Sequence, residues 1–167
     1  VVGDYDDDLK AVVTGTRDKV AEKMADLRVA DSMTEIFNLF RRCNRYIDET
    51  MPWVLAKDEA SKDRLATVLY NLVEGITIGA SLLSPYMPET SEKIFAQLNT
   101  SMVEFDNLAT FGNYKSGTKV TEKPQILFAR LDEKEVMEKA KVLMEKQAAS
   151  VKAANAAVEE DTVIDIE

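Results

Sequence analysis

The chain has 167 residues, 46% of them hydrophobic, and a formal net charge of −9. That is enough for one domain with a real core and too apolar for disorder throughout, while the acidic balance argues against a nucleic-acid binder unless a local basic patch steers the ligand. It has no histidine and a single cysteine, Cys43, which excludes an intramolecular disulfide, a thiolate metal site and histidine-based acid–base chemistry. Six glycines and four prolines favour long helices over a turn-rich β fold. No apolar run of membrane-spanning length and no signal-peptide pattern is visible, so the chain reads as soluble and cytoplasmic, with no membrane partner. It starts at Val1 rather than Met and reads as processed or as a piece of something longer.

Residues 1–16 hold Asp4, Asp6, Asp7 and Asp8 and a Thr14-Gly15-Thr16 break. We expect a short turn or helix whose acids are a solvated face or helix start, then a new helix from Arg17 to about Arg28 capped by Thr16. Ser32-Met33-Thr34-Glu35 is a capping box, serine and glutamate each satisfying the other's backbone donor. The helix it opens should run to Met51, with Met33, Ile36, Phe37, Phe40, Cys43, Ile47 and Met51 as its apolar stripe. At 100° per residue Asn44 falls inside that stripe, Asp48 on its edge, and Arg41 and Arg45 on the flank. Pro52 stops the helix, because it lacks a donor and restricts Met51.

Residues 58–64 are a polar connection, with Ser61 as the expected cap of a long helix to Leu83. That helix is apolar nearly all round and should be central, and Gly75, Gly79 and Ala80 leave room for a close neighbour. Ser84-Pro85-Tyr86-Met87-Pro88 is a sharp break before a helix from about Glu89 to Leu98. Residues 99–124 are punctuated by Asn99, Asn107, Gly112, Asn113 and Gly117 and read as loop. Asp132 caps a helix from Glu133 to about Ala149, with a face of Val136, Ala140, Leu143 and Met144. Residues 148–161 look like a fraying helix or linker, and 162–167 alternate like an isolated strand. The whole reads as all-α, a bundle of about five helices, with residues 1–147 as bundle and 148–167 as linker.

The stretch Asn44-Arg45-Tyr46-Ile47-Asp48-Glu49-Thr50, continued by Pro52-Trp53-Val54 and Ala56-Lys57, resembles the anticodon-binding helical domain of bacterial methionyl-tRNA synthetase. The likeness extends to the proline-bracketed break at 84–88, to Pro124-x-x-Leu127-Phe128-x-Arg130-Leu131-Asp132, and to 162–167, which are similar to the start of an appended tRNA-binding domain. It implies a non-catalytic piece of an enzyme that joins methionine to its tRNA. No catalytic motif of the class I synthetases is present. No cofactor or metal is expected in this chain, and ATP and Mg belong to the parent enzyme. The implied partners are the anticodon loop of tRNA(Met), read as CAU, and the catalytic domain of the same polypeptide, with no DNA. In the family the first anticodon base stacks on the tryptophan that matches Trp53, and a preceding helix, expected to end about where Val1 begins, adds further contacts.

Read residue by residue, Trp53 offers an indole whose backbone is fixed by Pro52 and whose flat face a base can stack on; a core or lid role is the alternative. Asn44 offers a donor and an acceptor to a base edge, or bonds within the core. Asp48 accepts from an amino group such as cytosine's, or holds an arginine. Arg41, Arg42 and Arg45 meet phosphates or bases, or are a solvated face. Cys43 reads as a small core residue. Two other functions remain open: the anticodon-binding domain of a related class I synthetase, and a helical module that docks a protein through Trp53. A carboxylate-based bundle enzyme is more remote, since its acids would have to face the core.

Overall fold

Asp6, Asp7 and Asp8 open a helix. In the computed structural model, which describes the backbone of residues 1–161 and the side chains of residues 1–152, α1 runs Asp6–Ala25 without interruption. Leu9, Val13, Thr16 and Val20 are buried in it, four, three and four residues apart, straight across Gly15. The expected break at 14–16 is therefore absent. The Thr14 and Thr16 hydroxyls donate to the carbonyls of Lys10 (2.9 Å) and Val12 (2.7 Å), inside the helix instead of at its start. A mid-helix glycine costs roughly 1 kcal/mol relative to alanine, less than the burial of Val13 and Val20 returns.

α2 spans Val29–Thr50. The expected capping box is four residues too late, the N-cap being Arg28. Ser32 lies within the helix, fully buried, its hydroxyl donating to Val29 O at 2.7 Å and 2.6 Å from the Tyr86 hydroxyl. α3 is a single turn, Pro52–Leu55, and a 3₁₀ turn at Glu59–Ser61 leads into α4, Lys62–Leu83. The connection at 58–61 is capped by Asp58, whose carboxylate accepts from Ala60 N–H (3.1 Å) and the Ser61 hydroxyl (2.7 Å); these bonds hold its pKa below the ordinary value. α5 runs Pro88–Leu98. No strand is present among the described residues.

α4 is the axis of the bundle, touching α1, α2, α3 and α5. Its composition and length would allow it to cross a membrane, but its apolar surface is spent on these neighbours. The two glycines mark the close approach. A Cβ on Gly75 would lie 3.0 Å from Cys43 Sγ, and one on Gly79 would lie 2.6 Å from the Phe40 ring. Cys43 is packed into this seam, and burial pushes its thiol up to about 11.

Glu74 on α4 is fully buried and organises the loop after α5. Its Oε1 accepts from the N–H groups of Gly112 (2.8 Å) and Asn113 (2.7 Å), and its Oε2 from Tyr114 N–H (2.6 Å). Tyr70 adds a bond from its hydroxyl to Tyr114 O (2.9 Å), and burial together with the Glu74 charge raises its pKa. The loop is irregular but fixed, with Leu108 and Tyr114 buried.

Residues 1–127 form one compact unit and a second begins at Phe128. In the second, Asp132 Oδ1 accepts from Lys134 N–H (2.9 Å) and Glu135 N–H (3.3 Å), capping α6, Glu133–Asp161. The helix runs past Ala149 to Asp161, so of the two expectations for 148–161, helix or linker, the backbone is helical. The strand-like stretch at 162–167 lies outside the described residues.

A buried ion pair ties α1, α2 and α4 together at one end. The Asp6 side chain is inaccessible to solvent. Arg64 grips it with Nη1 on Oδ2 (2.6 Å) and Nη2 on Oδ1 (2.8 Å). Tyr46 donates its hydroxyl to Oδ1 (2.6 Å) and accepts from Asn71 Nδ2 (3.1 Å), while Gly3 N–H donates to Oδ2 (3.1 Å). Burial pushes the Asp6 carboxyl up, but the bonds from Arg64, Tyr46 and Gly3 outweigh it and hold the pKa at about 2, against 3.8 ordinarily. Burial and the bond to Asp6 push the Tyr46 hydroxyl up to about 12.

Because folded Asp6 binds its proton more weakly than unfolded Asp6, acid favours the unfolded chain. The group's contribution is complete above about pH 4 and disappears as pH falls towards 2, amounting to about 2 kcal/mol. Urea unfolding measured across that window should show the gap between wild type and Asp6→Asn narrowing by about 2 kcal/mol as pH falls. A constant gap between the two would contradict the assignment.

Candidate nucleic-acid interface

The corner between α2 and α3 is set by Pro52. The residue before a proline is pushed out of the helical region, and Met51 takes the left-handed conformation, φ 43° and ψ 63°, while its N–H still closes α2 on Ile47 O (2.9 Å). Pro52 then starts α3, where its missing N–H costs nothing. Val54 N–H and Ala56 N–H close the new turn on Met51 O (2.8 Å) and Pro52 O (2.9 Å). Within this turn Leu55 packs on the core and Trp53 points out, 52% exposed. Met51 and Val54 beside it in sequence are also exposed.

The rest of the site lies on the outer face of α2. Its buried face is Ser32, Ile36, Leu39, Cys43 and Tyr46. Arg41, Asn44, Arg45 and Asp48, spaced three, four and seven residues from the first, are all exposed and share one stripe. The expected position of Asn44 in the apolar stripe is thus corrected, since it faces solvent. The pattern was misleading because Tyr46 turns inward. Its hydroxyl is satisfied there by Asp6 and Asn71, which hydrophobic spacing does not reveal. Phe37, expected inside, is 40% exposed, and Phe40 and Ile47 only flank the core.

The three arginines are not equivalent. Arg42 is drawn inward, its Nε on Asp8 (2.6 Å), its Nη1 on Glu49 (3.0 Å) and its guanidinium over the Tyr46 ring. Its charge is largely neutralised there. Arg45 is 76% exposed at its side chain and leans on Glu49 Oε1 (2.8 Å). Arg41 donates to Asn38 Oδ1 (2.6 Å) and has no acidic partner among the described residues. Glu49, which fixes Arg42 and Arg45 together, and Asp6 with Arg64, which brace α2 from behind the corner, do not stand out in the sequence. The i,i+4 spacing of Arg45 and Glu49 is the one signal for the first.

What such a surface can do follows from its chemistry. It offers one aromatic face on a fixed turn, an amide and a carboxylate one turn apart, and two exposed guanidinium groups. Bases stack on the first, base edges pair with the second, and phosphates with the third. Among the described residues no cluster of acidic, cysteine or histidine side chains is placed to hold a metal ion.

A family model described as the anticodon binding domain of methionyl tRNA ligase matches residues 1–148. The methionine–tRNA ligase of Clostridium tetani is 48% identical over 127 residues, 76% of this chain and 20% of that protein. That of Clostridium perfringens is 40% identical over 158 residues, 95% of this chain and 24% of that one. The chain therefore spans about a fifth to a quarter of the length of these relatives. Among solved structures, a Mycobacterium tuberculosis methionyl-tRNA synthetase in complex with methionyl-adenylate superposes with a TM-score of 0.66 at 27% identity, covering 78% of this chain and 26% of that one. By the extent of the family match and the identity of these relatives, the chain belongs to the anticodon-binding domains of methionyl-tRNA ligases.

Proposed function

We propose that this chain reads the CAU anticodon of tRNA(Met) within a cytoplasmic methionine–tRNA ligase. The catalytic domain of the same polypeptide would join methionine to that tRNA with ATP and Mg. Trp53 stacks the first anticodon base, and Pro52 fixes the turn that presents it. Asn44 bonds a base edge, Asp48 accepts from an exocyclic amino group, and Arg41 and Arg45 meet phosphates. We assign residues 1–147 to the anticodon-binding part and 148–167 to a linker with the candidate start of an appended domain; the family match over residues 1–148 supports that division, while the compact unit of the structure ends at Leu127.

The observation that carries this reading is the half-exposed Trp53 on a proline-fixed turn, following the exposed stripe Arg41–Asp48 on α2. A protein-docking role would draw on the same corner through Met51, Trp53 and Val54. Stem-loop RNAs that differ only in one loop base separate the two. Asn44→Ala should lose roughly 1–3 kcal/mol of discrimination at one loop position with the urea midpoint unchanged. Equal affinity of wild type for all the stem-loops would remove the anticodon-reading role and leave the docking one.

A further inference from the structure

The cations of the 1–127 unit are unevenly used. Seven of its fifteen lysines and arginines are held in ion pairs. Lys93, Lys115, Lys119 and Lys123 are not among them, are all exposed, and belong to one region. Lys123 and Lys93 line the same open depression of about 180 Å³, and Lys119 lines an adjacent groove of about 500 Å³ against Tyr70 and Tyr114. Glu122 is the one acid between Tyr114 and Leu127.

This basic segment is bolted down. Glu74 holds its start through the backbone of residues 112–114, and the Tyr114 hydroxyl donates to Leu98 O (2.7 Å). Farther along, Thr121 N–H donates to Gln97 O (2.8 Å) and Gln125 N–H to Gln97 Oε1 (2.9 Å). A buried carboxylate is an expensive way to fix an ordinary surface loop, and here it orders the stretch of the 1–127 unit where unpaired lysines gather. The groove wall on α4 runs from Ala66 to Val73, about 6–17 Å along the axis from the helix start at a rise of 1.5 Å per residue. α4 itself begins seven residues after α3 ends. α3 packs on α4, and a nucleic-acid strand advances about 3.4 Å per nucleotide.

We propose that Lys115, Lys119 and Lys123, with Lys93, form a second RNA site that grips the sugar–phosphate backbone beside the anticodon loop without reading sequence. The proposal rests on the RNA-binding reading of this domain and assigns it a surface apart from the α2–α3 corner. Counterions released by such contacts make binding salt-dependent, each phosphate contributing about 0.7–0.9 to the slope of log affinity against log salt.

The test is a salt titration of the 167-residue chain with a CAU stem-loop and a stem-loop of scrambled loop sequence. It compares wild type, Trp53→Ala and the triple variant Lys115→Gln/Lys119→Gln/Lys123→Gln. The triple variant should bind both RNAs about ten-fold more weakly at about 0.1 M salt, with a slope lower by about two. Its preference for CAU should be kept. Trp53→Ala should lose that preference with its slope intact. An unchanged slope and affinity in the triple variant overturns the proposal while leaving the anticodon reading standing. Lysine-dependent binding without CAU preference keeps the proposal and removes the anticodon reading. Binding of neither RNA by wild type overturns both.

Discussion

Replacing Asp6 by asparagine is expected to destabilise the protein by about 3–5 kcal/mol, the cost of breaking a buried pair and leaving its partner charged. Asp6 is wholly buried and receives four hydrogen bonds, from Arg64, Tyr46 and Gly3. The amide can accept from only some of those donors, and the Arg64 guanidinium, 18% exposed at its side chain, loses its counter-charge. Against a total stability of about 5–15 kcal/mol the change is large, and should appear as a melting temperature lower by about 10 °C or more. Tyr46→Phe removes only one arm and should cost about 1–3 kcal/mol. Urea unfolding followed by circular dichroism measures both. A loss under about 1 kcal/mol for Asp6→Asn would mean that the cluster is solvated in solution and does not brace the bundle. The position of the pair matters for function as well. It joins the start of α1 to the last turns of α2 and the first turn of α4, directly behind the corner that carries Trp53.

Trp53→Ala is the largest expected effect on recognition. Base–aromatic stacking is worth about 1–3 kcal/mol by alanine substitution, so affinity for a CAU loop should fall about five- to 150-fold. The loss should be specific to loops with the preferred first base. Because Trp53 is 52% exposed and its turn is fixed by Pro52, folding stability should hardly move. In the complete ligase the same substitution should raise the tRNA concentration needed for charging while leaving ATP-dependent activation of methionine intact. Charging of tRNA(Met) at wild-type efficiency would contradict the role given to Trp53. A stability loss as large as that for Asp6→Asn would instead make it a packing residue.

The parts of this architecture that were legible in the sequence are those written in short-range chemistry. Pro52 ends a helix, the break closed by Pro88 precedes another, Asp132 is a cap, and Gly75 and Gly79 announce the seam that Cys43 and Phe40 fill. Asn44 was misplaced because hydrophobic spacing ranks a tyrosine below isoleucine and phenylalanine. Tyr46 is nevertheless the largest fully buried side chain of the bundle, with partners supplied forty residues upstream and twenty-five downstream. The same blindness hid Asp6, whose two acidic neighbours are exposed and which looks no different from them in sequence. It also hid Glu74, whose partners are backbone groups some forty residues away. Buried charge is legible only once its partners are in place, and among the described residues the two buried carboxylates, Asp6 and Glu74, each fix a segment through groups far away in sequence.

Reading of the first anticodon base by the α2–α3 corner, as proposed, runs through Trp53 and is open to a direct optical test. Trp53 is the only tryptophan in the chain, so its emission reports on that corner alone. Titration of the protein with a CAU stem-loop, with binding followed in parallel by anisotropy of labelled RNA, should give a saturable change in Trp53 emission. That change should vanish when the first loop base is altered. Trp53 emission that stays constant while anisotropy shows the CAU loop bound would contradict the account.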